Sequence, residues 1–276
     1  MTFQYFDIHS HLNDPRFADD LPNVLSRMRE SGVGTIVVGT DREMSERAIA
    51  LAEAEPDIWA TIGIHPTDRT DEVFDEQIYR KMAQHPRVVA IGECGIDYFR
   101  LENDRISGKI LNMDAEADRQ QELFVQQMEI AASVGKPLMI HGRPTKGTMD
   151  AYEDILHILK NGQQIHGDKV RGNVHFFVGN TEIAKQFLDI GFTMSFTGVL
   201  TFTHDYDDVL RYLPLASIMP ETDAPYVSPV PYRGMQNEPA RVIEVVRAIA
   251  RIRGENEETV QSALVENAFR VFRLQK

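Results

Sequence analysis

Six side chains of the kind that hold divalent metal ions are scattered from position 9 to position 223: His9, His11, Glu93, His141, His175 and Asp223. Each follows or ends a short apolar run, among them Val88-Val89-Ala90-Ile91-Gly92 before Glu93 and Leu138-Met139-Ile140 before His141. His9 and His11 stand two apart in an extended segment, so their imidazoles share one face, and a pair of imidazoles suits a cation of borderline softness. Glu93 lies between Gly92 and Gly95. A carboxylate ending an apolar strand is costly to bury unless it is paired or metal-bound, and its two oxygens allow it to bridge two cations. His141 and His175, at the ends of adjacent strands, can hold a second ion together with Glu93. Asp223 is placed to ligate the first ion and to take the proton of an attacking water. Asp97 either orients a ligating histidine or caps the segment that follows it.

Residues so far apart meet only if the chain delivers them to one rim. Strand-like runs are expected at 4–9, 34–39, 58–64, 87–93, 137–141, 172–177, 191–196 and 216–222. Between them lie amphipathic stretches at 21–31, 43–54, 72–84, 115–134, 149–161, 181–189 and 205–213, and helices at 238–253 and 257–273 close the chain. Strands alternating with helices in this rhythm imply βαβ units and a parallel sheet. Eight of them favour closure into a single α/β domain, a (β/α)8 TIM barrel over residues 1–276, whose chemistry sits at the strand C-termini. The absence of a glycine-rich dinucleotide turn after the first strand argues against an open doubly wound sheet. Two stretches read as insertions beside that rim, 101–116 and 142–172.

Composition narrows the classes. The formal charge of −13 argues against a protein that coats duplex nucleic acid, which draws on clustered Lys and Arg, though bound divalent ions reverse the local sign in a cleft. A single cysteine, Cys94, excludes an internal disulfide and fits a reducing cytoplasm. No secretory signal and no membrane-length apolar run is expected, and no obligate protein partner is inferred.

The stretches Asp7-Ile8-His9-Ser10-His11-Leu12, Gly63-Ile64-His65-Pro66, Gly92-Glu93-Cys94-Gly95-Ile96-Asp97-Tyr98, Ile140-His141-Gly142-Arg143, His175-Phe176-Phe177-Val178-Gly179, Glu221-Thr222-Asp223-Ala224-Pro225-Tyr226 and Arg233-Gly234-Met235-Gln236-Asn237-Glu238-Pro239 occur in this order. Together with the closing Glu266-Asn267-Ala268-Phe269-Arg270-Val271-Phe272, they make the chain resemble the TatD family of metal-dependent deoxyribonucleases, within the amidohydrolase-like barrels. The resemblance implies two divalent ions (Mg, Mn or Zn), one on His9, His11, Glu93 and Asp223, the other on Glu93, His141 and His175. It further implies His65, Arg143 and Arg233 as substrate-binding residues. Three departures stand out: Thr67 where the family often has a second histidine, Met235 where it has lysine, and Phe176-Phe177-Val178 in place of Cys-Phe-Ser or Cys-Phe-Thr.

The expected function is hydrolysis of DNA phosphodiesters by a two-metal mechanism, exonucleolytic on single-stranded ends, with Asp223 as general base and Glu93 at the bridge. The competing expectation is hydrolysis of a lactone, ester or amide on the same scaffold, because function is grafted onto a fold by its loops.

Overall fold

The computed structural model describes residues 3–67, 74–109 and 112–274. Its strands are β1 (Tyr5–Ser10), β2 (Val33–Val37), β3 (Ile58–Ile62), β4 (Val88–Asp97), β5 (Leu138–Arg143), β6 (Gly172–His175), β7 (Thr193–Phe196) and β8 (Ile218–Pro220). They form one parallel sheet in sequential order. Runs such as Ile58-Trp59-Ala60-Thr61-Ile62 are buried along their whole length, as expected of parallel strands covered on both faces.

The connecting helices are α1 (Leu21–Glu30), α2 (Arg42–Ala54), α3 (Glu76–Ala83), α4 (Tyr98–Ile106), α5 (Met113–Val134), α6 (Asp150–His166), α7 (Thr181–Asp189) and α8 (Asp207–Tyr212), followed by α9 (Val242–Arg253) and α10 (Glu257–Phe272). Asp41, Asp75, Asp97, Asn112, Asn180 and Asn256 each accept a backbone N–H at a helix start, which satisfies donors that have no partner inside the helix. Apolar side chains of these helices and of the strands form the main core. A second cluster joins Phe6, Ile36, Trp59 and Met139 to Val271 and Phe272 of α10. Phe6, Trp59 and Met139 are each the second residue of their strand, so α10 plugs the end of the barrel away from the expected site. Among the described residues no helix is long and apolar enough to cross a membrane.

The structure corrects four expected boundaries. The fourth strand runs on to Asp97 instead of stopping at Glu93. Its pairing with β5 shifts register between Ile91 and Cys94, an irregularity that re-aims a side chain, and Glu93 lies within it. Gly92 and Gly95 there have φ of +150° and +139°, and a Cβ at Gly95 would strike the His141 carbonyl. The stretch 101–116 is no bare insertion, since α4 and the first turn of α5 occupy much of it. The stretch 142–172 is mostly α6, an ordinary crossover helix. The expected helix at 72–84 begins at Glu76, and positions 72–73 lie outside the described residues.

The seam of the barrel is closed beyond the end of β8. Asp223 N–H donates to the His9 carbonyl at 2.9 Å and His11 N–H to that of Ala224 at 2.7 Å. Buried Asp7 spans the same seam, accepting the Thr222 N–H at 2.9 Å and the Thr222 hydroxyl at 2.6 Å. Burial pushes the Asp7 carboxyl up to about 8, against these hydrogen bonds, which favour the ionised form. Thr222→Val keeps the shape of the side chain and leaves an Asp7 oxygen without its donor in a dry interior. It is expected to lower the unfolding free energy by about 1–3 kcal/mol, read as a shifted urea midpoint at unchanged slope, while Thr222→Ser stays near the parent. A midpoint in the valine variant equal to the parent's would show that the seam does not depend on this bond.

Candidate metal centre

Glu93 stands at the centre of the open end of the barrel, with its two oxygens facing different groups. Oε2 lies 3.4 Å from His9 Nε2 and 3.8 Å from His11 Nε2. Oε1 lies 2.7 Å from His175 Nε2 and 2.8 Å from His141 Nδ1. Asp223 Oδ1 completes the first group, 3.3 Å from His11 Nε2 and 3.7 Å from His9 Nε2. Within the groups the ring nitrogens face each other, His9 Nε2 and His11 Nε2 at 3.2 Å and His141 Nδ1 and His175 Nε2 at 3.3 Å. Donor atoms held about 2.1 Å from one cation at tetrahedral or octahedral angles stand about 3.0–3.4 Å apart. Both groups have that spacing to within a few tenths of an ångström, so the six residues fit two cations sharing Glu93. His9 and His175 also stack, with ring centroids 3.9 Å apart, which keeps the two groups in contact.

Local backbone sets these positions. The His-x-His spacing on β1 puts His9 and His11 side by side. His141 and His175 are register partners across β5 and β6. Asp223 has φ +52°, a left-handed conformation that non-glycine residues seldom hold and that is found where a structure over-determines it. Its N–H bond to His9 and the Tyr226 N–H donated to its own carbonyl at 2.8 Å fix it there.

A ring of carboxylates orients the imidazoles from behind. Asp97 serves both expected roles at once: Oδ2 meets His141 Nε2 at 3.1 Å, and Oδ1 accepts the Arg100 N–H at 2.6 Å at the start of α4. Glu221, fully buried, places Oε1 3.3 Å from His175 Nδ1, off hydrogen-bonding alignment. Glu221 is itself held by the Phe176 N–H at 2.7 Å and the Ser195 hydroxyl at 2.6 Å. Sequence reasoning passed over Glu221 as a site residue, although its spacing from Asp223 puts both on one face of an extended segment. The role of Asp7 at the seam was equally unmarked.

Electrostatics follow from packing imidazoles around carboxylates in a dry place. Burial would raise the Glu93 carboxyl, but His175, His65 and His9 together hold it well below its usual range. Burial and the neighbouring His175 lower His9. His141 is raised to about 9 because Asp97 and Glu93 outweigh its burial, and Glu93 and Glu221 raise His175 in the same way. Asp223 is lowered despite burial by the hydrogen bond from His11 and by His9. His9 Nδ1 is buried without a hydrogen-bond partner.

A cleft of about 750 Å³ opens over the site. His65 lies on its wall with Nε2 3.4 Å from Glu93 Oε1. His65 Nδ1 accepts the Thr67 N–H at 3.2 Å, which puts the hydrogen of the neutral ring on Nε2 and makes that face a donor rather than a ligand. Arg143 lines the cleft and stacks over Phe99 at 4.1 Å. Arg233 does not line it. Its guanidinium lies 4.0 Å over the Phe202 ring and donates to the Ser228 carbonyl at 2.8 Å, so the motif position expected to face the cleft is turned toward its own loop. Arg100, which sequence reasoning left aside, is on the cleft wall.

Comparison with known proteins agrees with this architecture. A family model described as TatD related DNase matches residues 6–273. An uncharacterized metal-dependent hydrolase of Bacillus subtilis, YabD, is 34% identical, covering 98% of this chain and 99% of its own. A protein of Pectobacterium parmentieri named 3'-5' ssDNA/RNA exonuclease TatD is 32% identical over 98% of this chain and 99% of its own. The crystal structure of the TatD homologue YjjV of Escherichia coli superposes with a TM-score of 0.83 at 26% identity, covering all of both chains. The chain therefore belongs to the TatD family of metal-dependent hydrolases.

Proposed function

We propose that this protein hydrolyses phosphodiester bonds of DNA, trimming single-stranded ends with two divalent cations held by His9, His11, Glu93 and Asp223 and by Glu93, His141 and His175. The observation that carries the reading is the division of the Glu93 oxygens between two groups of histidines. A shared carboxylate between two cation sites is the arrangement that serves in-line displacement at phosphorus. The name carried by the Pectobacterium relative is in keeping with it. Arg100 and Arg143 on the cleft wall favour a phosphate over a lactone or amide, whose hydrolysis calls for no such cations.

When bound, the ions polarise a phosphoryl oxygen and lower the pKa of water. Asp223, kept ionised by its histidine neighbours, accepts the water proton as the water oxygen bonds to phosphorus and the bond to the leaving oxygen of the continuing strand breaks. His65, with its hydrogen on Nε2, is placed to donate a hydrogen bond to the departing oxygen, which takes its proton from solvent, and Arg143 is placed to hold a phosphate oxygen of the departing strand. Asp97 fixes the ring of His141 from behind, and Glu221 sets a negative charge beside His175 Nδ1. Four imidazoles and two carboxylates suit Zn²⁺ or Mn²⁺ better than Mg²⁺, which favours oxygen ligands.

The reading is tested by stripping the protein of metal, restoring each ion separately, and assaying single-stranded DNA, duplex DNA, RNA, and an ester, lactone and amide panel. Turnover of single-stranded DNA above the others is expected. Turnover of a lactone or amide with none of DNA under any ion overturns the proposal.

Asp223→Asn keeps one ligating oxygen but no longer accepts a proton as a carboxylate does. At saturating metal it is expected to lose roughly 100-fold in turnover while retaining the ion of Glu93, His141 and His175. Near-parental turnover would show that Asp223 is only a ligand.

Metal uptake carries its own signature. Imidazoles must be deprotonated to ligate, and the metal-free His141 titrates at about 9. Protons therefore compete below that pH, so affinity should rise from pH 6 toward about 9. Calorimetry at pH 7 in two buffers of different ionisation enthalpy should register proton release on binding. Affinity independent of pH, with no release, would remove His141 from the ligand set.

A further inference from the structure

The cleft wall is not uniform. In a closed ring of eight sequential strands, the β4–β5 side stands across the barrel from the β8–β1 side. Arg100, just after β4, and Arg143, at the end of β5, line the cleft on the first side. Among the described residues no carboxylate lies within salt-bridge distance of either, whereas Arg16 on the opposite wall is paired with Asp14 at 2.6 Å. Phe99 lies 4.1 Å beneath Arg143 and steadies its guanidinium. On the far side Tyr226 lines the cleft, 47% exposed, with Arg16 4.4 Å over its ring. Tyr226 follows Asp223 by three residues and leans on His11 at 6.2 Å.

We infer that a single-stranded polynucleotide crosses the cleft along this diameter, with its terminal base against Tyr226 and the next phosphate of the continuing chain on Arg100 and Arg143. The inference rests on the phosphodiesterase reading above and adds a direction to it. In-line displacement sends the leaving oxygen away from the attacking water. Water deprotonated by Asp223 enters from the β8–β1 side, so the leaving strand departs toward β4–β5. That strand is the part of the substrate that still carries phosphates, and the two free guanidiniums are the groups that bind them. The nucleotide left on the Asp223 side brings a base, and an exposed aromatic ring stacks any base without regard to sequence. Stacking on one side and charge on the other is how single strands are held.

The test compares kcat/KM for a thymidine dinucleotide, with one phosphodiester, a trinucleotide with two, and a trinucleotide with an abasic terminal unit, in the metal-loaded protein. In the parent the second phosphate is expected to raise kcat/KM about tenfold. In the double variant Arg100→Ala, Arg143→Ala that ratio falls toward one. Tyr226→Ala should lose about tenfold on the trinucleotide, little on the abasic form, and Tyr226→Phe should recover most of the loss. Unchanged melting temperature and metal content in each variant separate these effects from misfolding. An arginine variant that slows both lengths equally would place Arg100 and Arg143 at the scissile phosphate and overturn the path. Equal losses on normal and abasic trinucleotides in Tyr226→Ala would overturn the stacking contact. A parent protein that cleaves no oligonucleotide under any ion removes the phosphodiesterase reading, and the path with it.

Discussion

Asp7 holds the two ends of the barrel together, and the geometry of the cation-binding cluster depends on that hold. Its carboxyl takes both the N–H and the hydroxyl of Thr222 and also the His9 N–H at 3.1 Å. One buried side chain therefore sets the register between the first strand and the segment after the last. That register places Asp223 beside His9 and His11, more than two hundred residues earlier in the chain. A slip of one residue along a strand turns its side chains to the opposite face, which would carry Asp223 out of the cluster. The position of Asp223 is thus a property of ring closure rather than of its own short loop.

Within the ring the dominant problem is charge. Burying Glu93 alone would be costly. Surrounding it with imidazoles solves that problem for the carboxylate and creates the complementary one for the rings, of which His141 and His175 are pushed up while His9 is pushed down. A cluster in which like rings titrate in opposite directions has no single protonation state that satisfies every member. Replacing the competing protons by two cations would remove the conflict, since each facing nitrogen would then meet a positive charge of fixed position. The carboxylates behind the rings, Asp97 and Glu221, fit the same solution because they favour rings held in one orientation.

The strand-and-helix alternation and the six candidate ligands were legible because both follow local rules. Apolar runs of four to six residues read as buried parallel strands, and an acid or histidine at the end of such a run is expensive without a partner. The length of β4 was not legible, because the extension from Glu93 to Asp97 depends on a register shift against β5 that no local pattern records. The two arginines show the same divide. Arg143 and Arg233 occupy equivalent-looking motif positions, yet one lines the cleft over Phe99 and the other folds back over Phe202. Which way a long side chain turns is decided by aromatic neighbours distant in sequence. Glu221 was hidden for another reason: its partners His175, Phe176 and Ser195 lie on other strands, so only the assembled sheet reveals its place.

For an acidic protein the proposed polyanionic substrate raises an electrostatic objection, which distance resolves. At physiological ionic strength the Debye length is about 8 Å, so carboxylates on the outer helices are largely screened from a strand lying in the cleft. The groups that act there in the proposed reading are the near ones: Arg100 and Arg143 at one side, and the cations proposed at the floor. These are enough to hold a short stretch of single strand. They are too few to follow the two backbones of a duplex, whose tight binding needs on the order of 6–10 phosphate contacts. On the proposed reading, a net negative charge and a preference for a strand end are compatible, because the positive charge that meets the substrate is that of the two cleft arginines and of the cations.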